Sequence, residues 1–117
     1  MSARVLVVDD DDAFRYATAK LLTDAGFETV EAPDYRQALE ILDEKKPLDL
    51  LLMDIVIPGV NGFALARMAR MRHRSLKVIY LSGFDVPTDE AIGPVLRKPV
   101  EGDVLLAEIR KALASNV

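Results

Sequence analysis

The sequence predicts an α/β domain built on a five-stranded, doubly wound parallel sheet. Three observations lead there. Short apolar runs alternate with amphipathic stretches along 117 residues, an order that gives parallel strands joined by right-handed crossovers. The run Leu50-Leu51-Leu52-Met53 lacks period-two alternation, as a strand covered on both faces does. Several runs end on polar residues, and ligands of open α/β sheets gather at the carboxyl ends of the strands.

Val5 to Val8 is β-branched and apolar, a first strand closed by Asp9-Asp10-Asp11-Asp12. Ala13 to Ala25 reads as a helix with Phe14, Ala17, Leu21 and Leu22 on one face. Asp11 or Asp12 is its expected N-cap and Gly26 its stop. A short strand within Phe27 to Ala32 follows. Asp34 opens a second helix burying Ala38, Leu39 and Leu42, with Tyr35 a turn earlier, and Lys45-Lys46-Pro47 ends it.

The third strand ends at Asp54, and Pro58-Gly59 forces a turn. Asn61-Gly62 begins a third helix through Arg72 that turns Phe63, Leu65, Met68, Ala69 and Met71 inward. Lys77 to Leu81 is a fourth strand ending at Ser82-Gly83. Phe84 to Gly93 offers one or two helical turns at most, around Thr88 to Ile92. Pro94 to Arg97 is an edge strand, which tolerates its proline. Glu101 to Ala114 closes the chain as a helix burying Val104, Leu105, Ile109, Ala112 and Leu113. With no linker, repeat or low-complexity segment, residues 1–117 are expected to be one domain.

Composition narrows the function. The formal net charge is -4, which argues against nucleic-acid binding. Arg67, Arg70, Arg72, His73, Arg74 and Lys77 read as the solvated side of a helix and its exit, with His73 at the surface. Without cysteine there is no disulfide, thiolate chemistry or thiolate-bound metal. No apolar run reaches the roughly 18 residues of a membrane span. Met1-Ser2-Ala3-Arg4 leads into the first strand without a signal-peptide pattern. The expectation is a cytoplasmic protein that contacts neither nucleic acid nor membrane.

Asp54 alone could be a turn cap. The sheet edge gives it company: Asp9 and Asp10 after the first strand, Ser82 after the fourth, Lys98 after the fifth. Two carboxylates about 4 Å apart repel by roughly 4 kcal/mol at an effective dielectric near 20. That is a large share of a domain's roughly 5–15 kcal/mol. A divalent cation resolves the repulsion, and Mg²⁺ takes oxygen ligands while keeping water sites for phosphate oxygens. A carboxylate can then act as nucleophile and form an aspartyl phosphate, with metal and lysine stabilising the transferring group. On this reading, Asp54→Asn is expected to melt higher than wild type in EDTA, because one repelling charge is gone.

At these residues the chain resembles the receiver domain of two-component response regulators. Val5-Leu6-Val7-Val8-Asp9-Asp10, Asp54 with Pro58 and Gly62, Leu81-Ser82-Gly83 and Lys98-Pro99 match in order. The resemblance implies a flavodoxin-like sheet of strand order 2-1-3-4-5. It makes Asp54 the phosphoacceptor, phosphorylated by a histidine kinase or histidine phosphotransfer protein. It makes Asp9 and Asp10, with Asp54 and the backbone carbonyl of Val56, the ligands of Mg²⁺, with Mn²⁺ as an alternative. Ser82 would be the hydroxyl that turns to the phosphate, and Lys98 its cationic partner. Lys98-Pro99 is expected to be cis. Asp11 and Asp12 stay caps rather than ligands.

The chain departs from the pattern in two places. Val95 stands where the family usually has an aromatic residue, so the coupled swing of ring and hydroxyl cannot take its usual form. The stretch from Gly83 to Arg97 is short, leaving the fourth helix shortened or missing and implying a monomer or weak dimer. Similar shortened stretches occur in receivers that stand alone or belong to hybrid kinases. Val56 and Phe84, two residues after Asp54 and Ser82, are both apolar. In similar domains these positions border the path of the hydrolytic water, and neither side chain can orient it, so self-dephosphorylation is expected to be slow compared with a Val56→Asn variant. The competing reading is a phosphorylation-independent interaction module on the same fold. A phosphohydrolase is disfavoured because Val56 occupies the usual general-acid position. Flavin binding is disfavoured because no Ser/Thr/Gly-rich loop follows the first strand.

Overall fold

The computed structural model describes residues 2–115. Met1, Asn116 and Val117, the outermost positions of the expected 1–117 domain, lie outside the described residues. The elements run β1 (Arg4–Val8), α1 (Asp12–Asp24), β2 (Glu28–Ala32), α2 (Tyr35–Asp43), β3 (Leu50–Asp54), β4 (Val56–Ile57), β5 (Val60–Asn61), α3 (Gly62–Arg72), β6 (Lys77–Ser82), β7 (Val95–Arg97) and α4 (Gly102–Ala114). The main sheet has the order β2-β1-β3-β6-β7. All its pairs are parallel. This is the expected 2-1-3-4-5 order, since β4 and β5 form a separate antiparallel hairpin.

Alternation along the strands divides the core, because successive side chains leave opposite faces. Leu6, Val8, Leu51, Met53 and Tyr80 pack with Ala38 and Leu42 of α2 and with Phe63, Leu65, Ala66 and Ala69 of α3. Val5, Val7, Leu50, Leu52, Ile79 and Leu81 pack with Leu22 of α1 and with Leu105 and Ile109 of α4. Three helices open on side-chain caps. Asp11 accepts from the Phe14 amide, Asp34 from Gln37 and Asn61 from Phe63, so orphan amides of each first turn are satisfied.

Several inward faces differ from expectation. On α1 the buried residues are Arg15, Thr18, Ala19 and Leu22, while Ala17 is exposed and Phe14 and Leu21 are half-buried. The helix is rotated to bring the hydrogen-bonded guanidinium of Arg15 inward, which a hydrophobic count does not foresee. On α3 the stripe is Gly62, Leu65, Ala66 and Ala69 together with Phe63. Met71 is 81% exposed, being two positions from Ala69 and so off its face. On α4, Leu105 and Ile109 are buried one turn apart, and Val104 is left exposed beside them.

The segment between β6 and β7 contains no helix. In place of the turns expected at Thr88 to Ile92 there is a single hydrogen-bonded turn, Ala91 N to Thr88 O at 3.0 Å. Val86, Ala91, Ile92 and Val95 of this region pack against the core. The Ile92 amide donates to the hydroxyl of buried Tyr80 at 3.3 Å, and Tyr80 meets Phe63 edge-on at 5.2 Å. A Cβ on Gly93 would lie 1.9 Å from the Val78 carbonyl oxygen, so only glycine admits this approach. Pro94 precedes β7 rather than joining it, and its carbonyl accepts from the Tyr80 amide at 2.9 Å. Lys98-Pro99 is cis. Among the described residues no helix is long and apolar enough to cross a membrane.

Candidate functional site

Asp9, Asp54, Ser82 and Lys98 all lie at the carboxyl edge of the sheet, at or just beyond the ends of β1, β3, β6 and β7. Register puts them there: Val8 pairs with Met53, Asp54 with Leu81, and Ser82 with Arg97. The Lys98 amide donates to the Ser82 carbonyl at 2.8 Å, and the Ile55 amide to that of Leu81 at 3.1 Å. These bonds carry the strand pairing past its formal end and into the site.

The Lys98 ammonium donates to Asp9 Oδ2 and to Asp54 Oδ2, both at 2.8 Å. It also lies 4.1 Å from the centroid of the Phe14 ring, where a cation is attracted to the ring face. The other oxygen of each acid is fixed by backbone. Asp9 Oδ1 accepts from the Asp11 amide at 2.9 Å, and Asp54 Oδ1 from the Val56 amide at 2.9 Å. Burial alone would lower the pKa of the Lys98 ammonium. The bonds to Asp54 and Asp9 outweigh it and hold the value above that of an ordinary lysine.

The remaining candidates stand apart from this trio. Asp10 is exposed. The Ser82 hydroxyl is engaged locally, donating to the Phe84 carbonyl at 2.7 Å and accepting from the Phe84 amide at 3.1 Å. Val56 and Phe84 are 56% and 67% exposed, leaving two apolar side chains bare after Asp54 and Ser82. Among the described residues no three acidic side chains meet closely enough to enclose a metal ion. The donor chemistry nonetheless suits a hard cation. Asp9 and Asp54 already turn one oxygen each toward a single positive charge, with the Asp10 carboxylate on the adjoining residue.

Two participants were not singled out from the sequence: Phe14, read as core, and Arg15. Arg15 Nη1 donates to the Asp9 carbonyl at 2.8 Å. Nothing in the hydrophobic pattern marks an arginine in the first turn of a helix as buried. The basic residues read as a solvated face are largely engaged within the chain. Arg67 pairs with Glu90, Arg72 pairs with Asp43, and Arg70 donates twice to the Leu76 carbonyl. His73, expected at the surface, is half-buried, its Nε2 bonded to the Leu42 carbonyl at 2.8 Å. A concavity of about 520 Å³ lined by Asp49, Arg70, Arg74 and Lys77 is distant from the acids, at the opposite edge of the sheet.

A family model for the response regulator receiver domain matches residues 5–110. Transcriptional regulatory protein AfsQ1 of Streptomyces coelicolor is 35% identical over 115 residues, covering 93% of this chain; the chain spans only 50% of that relative's length. Response regulator receiver protein CpdR of Brucella abortus is 35% identical over 119 residues, covering 94% of this chain and 96% of its own. A response regulator receiver domain protein (CheY-like) from Methanospirillum hungatei JF-1 superposes with a TM-score of 0.89 at 27% identity, over 97% of this chain and 94% of that one.

Proposed function

Because this chain belongs to the response regulator receiver domain family of two-component signalling, we propose that it is a phosphorylation-activated switch whose phosphoacceptor is Asp54. The observation that carries the reading is the shared ammonium: Lys98 joins Asp54 to Asp9 at 2.8 Å each. That arrangement gathers two carboxylates at the sheet edge and keeps a cation beside the one that would receive a phosphoryl group.

In the transfer, a carboxylate oxygen of Asp54 attacks the phosphorus of a phosphohistidine on a histidine kinase or histidine phosphotransfer protein. A P–O bond forms as the P–N bond breaks, and the electron pair leaves on the imidazole nitrogen, which takes up a proton. Asp9, Asp10, Asp54 and the Val56 backbone carbonyl would hold Mg²⁺ or Mn²⁺, which would supply positive charge to the phosphoryl oxygens. Lys98 stabilises the charge on the transferred group once Asp54 carries it as an acyl phosphate. Ser82 exchanges its bond to the Phe84 carbonyl for one to the phosphate. The added charge, about -1.5 to -2, thereby reaches the segment between β6 and β7. The chain catalyses no turnover of an external substrate. It acts in the cytoplasm as a monomer or weak dimer, alone or as the receiver part of a hybrid kinase.

The test is intact mass after incubation with acetyl phosphate and Mg²⁺. One added phosphoryl group, absent from Asp54→Asn, is the expected result. No adduct with this donor or with a phosphorylated kinase would favour the phosphorylation-independent interaction module.

A further inference from the structure

We propose that Arg15 is a positioning residue for the acidic pair Asp9 and Asp10, fixing how the two carboxylates are presented to a shared divalent cation. The proposal rests on the metal-binding reading given above for that pair.

Arg15 is 4% exposed, and its planar fork is spent on three acceptors. Nη1 donates to the Asp9 carbonyl at 2.8 Å. Nη2 pairs with Asp12 at 2.8 Å and Nε with Glu31 on β2 at 3.2 Å. The Tyr16 ring lies 4.9 Å from the guanidinium carbon. The carboxylate partners are the wetter ones, with side chains 68% and 35% exposed, so the Asp12 pair in particular contributes little. The bond to Asp9 is enclosed, and a charged donor makes it strong.

That carbonyl belongs to the peptide joining Asp9 to Asp10. The peptide is planar, so holding its oxygen sets the direction in which the Asp10 amide and Cα leave. The Asp9 carboxylate is fixed separately, by the Asp11 amide at one oxygen and Lys98 at the other. The Asp9 amide is tied to the Ala32 carbonyl at 3.2 Å. Among the described residues Asp10 has no such anchor for its exposed side chain. Its placement relative to Asp9 comes through the peptide plane, and Arg15 is the side chain that holds that plane. A lysine would keep the buried charge but not the fork that reaches three acceptors in fixed geometry. Partners that orient metal ligands without touching the ion commonly account for about 10- to 100-fold in metal affinity.

The test is Mg²⁺ titration of the full chain, Arg15→Met and Arg15→Lys, followed by the Asp9, Asp10 and Asp11 amide shifts in 15N correlation spectra. The dispersion of the same spectra reports whether each variant is folded. Wild type is expected to bind saturably, Arg15→Met about 10- to 100-fold more weakly, and Arg15→Lys with a smaller loss. If Arg15→Met does not fold, Arg15→Lys decides. Folded variants that melt lower in EDTA yet bind Mg²⁺ as wild type does would reduce Arg15 to a link between α1 and β2 and overturn the proposal. Wild type without saturable binding would overturn the metal reading itself, and this proposal with it.

Discussion

The Lys98 ammonium lies 2.8 Å from Asp54 Oδ2, joining residues 44 positions apart in the chain. Its second bond, to Asp9, makes one cation the common neighbour of two carboxylates that would otherwise repel. The site is therefore not a bare acid cluster awaiting metal, and this changes what substitutions there should do.

Lys98→Met leaves the Asp9 side chain, 2% exposed, facing Asp54 without a counter-charge. Breaking a buried pair by removing one partner costs about 3 kcal/mol. Lys98 is 19% exposed, so the loss belongs at or somewhat below that figure. Denaturant unfolding in EDTA should show it, and Mg²⁺ should recover more stability in the variant than it adds to wild type. A variant as stable as wild type in EDTA would contradict the bridging role.

Asp54→Asn now has a different expected outcome from the one the sequence suggests. The substitution relieves repulsion with Asp9 but gives up a charge-assisted bond to Lys98, and the two offset. Stability in EDTA should stay within about 1 kcal/mol of wild type. A clear rise would mean that the acids repel despite the ammonium between them.

Alkaline pH should weaken the bridge in a defined window. The pKa of Lys98 is raised on folding, after burial is outweighed by Asp54 and Asp9. Its contribution is complete below the unfolded lysine value, about 10.4, and is lost as pH rises through the higher folded value. The buried phenol of Tyr80, also raised by desolvation, acts in the same range. The stability difference between wild type and Lys98→Met cancels the Tyr80 contribution. That difference should hold from neutral pH to about pH 10 and shrink above it; a difference that shrinks between pH 7 and 9 would point to another group.

The sheet was legible because its central strands are uniform apolar runs and three of its helices open on side-chain caps. Asp11, Asp34 and Asn61 cap where their residue types suggest. The details that failed are those decided by contacts distant in sequence. Ala17 yields the inward face of α1 to Arg15 because an arginine with three acceptors can be buried. His73 is held inward by a carbonyl 31 positions away. At the site, strand order predicts that Asp9, Asp54 and Lys98 share an edge. It cannot say that Lys98 would stand between the acids, nor that the Ser82 hydroxyl would be turned to Phe84.

Val56 is apolar and 56% exposed two residues after Asp54. Val56→Asn places an amide there that can orient an attacking water. The phosphorylated variant should lose its phosphoryl group several-fold faster than wild type, measured as decay of the adduct mass after the donor is removed. Equal decay would separate this side chain from the hydrolytic path.

Gly93→Ala forces a Cβ to within 1.9 Å of the Val78 carbonyl oxygen. The neighbour is backbone of a central strand and cannot yield as a side chain tip could. Overpacking of this kind costs about 1–3 kcal/mol. Hydrogen exchange should locate the loss at the Ile92 amide and its surroundings, where the segment is tied to Tyr80. Unchanged protection there would mean that the segment adapts.

Phosphorylation is expected on one group, the Asp54 carboxylate. After incubation with acetyl phosphate and Mg²⁺, borohydride reduces an aspartyl phosphate to homoserine, and peptide sequencing by mass spectrometry locates the product. Phosphorylation at Asp54 requires homoserine at position 54 and aspartate retained at positions 9, 10, 11 and 12. Homoserine at another acidic residue, or none anywhere in a chain shown to carry the phosphoryl group, would contradict it.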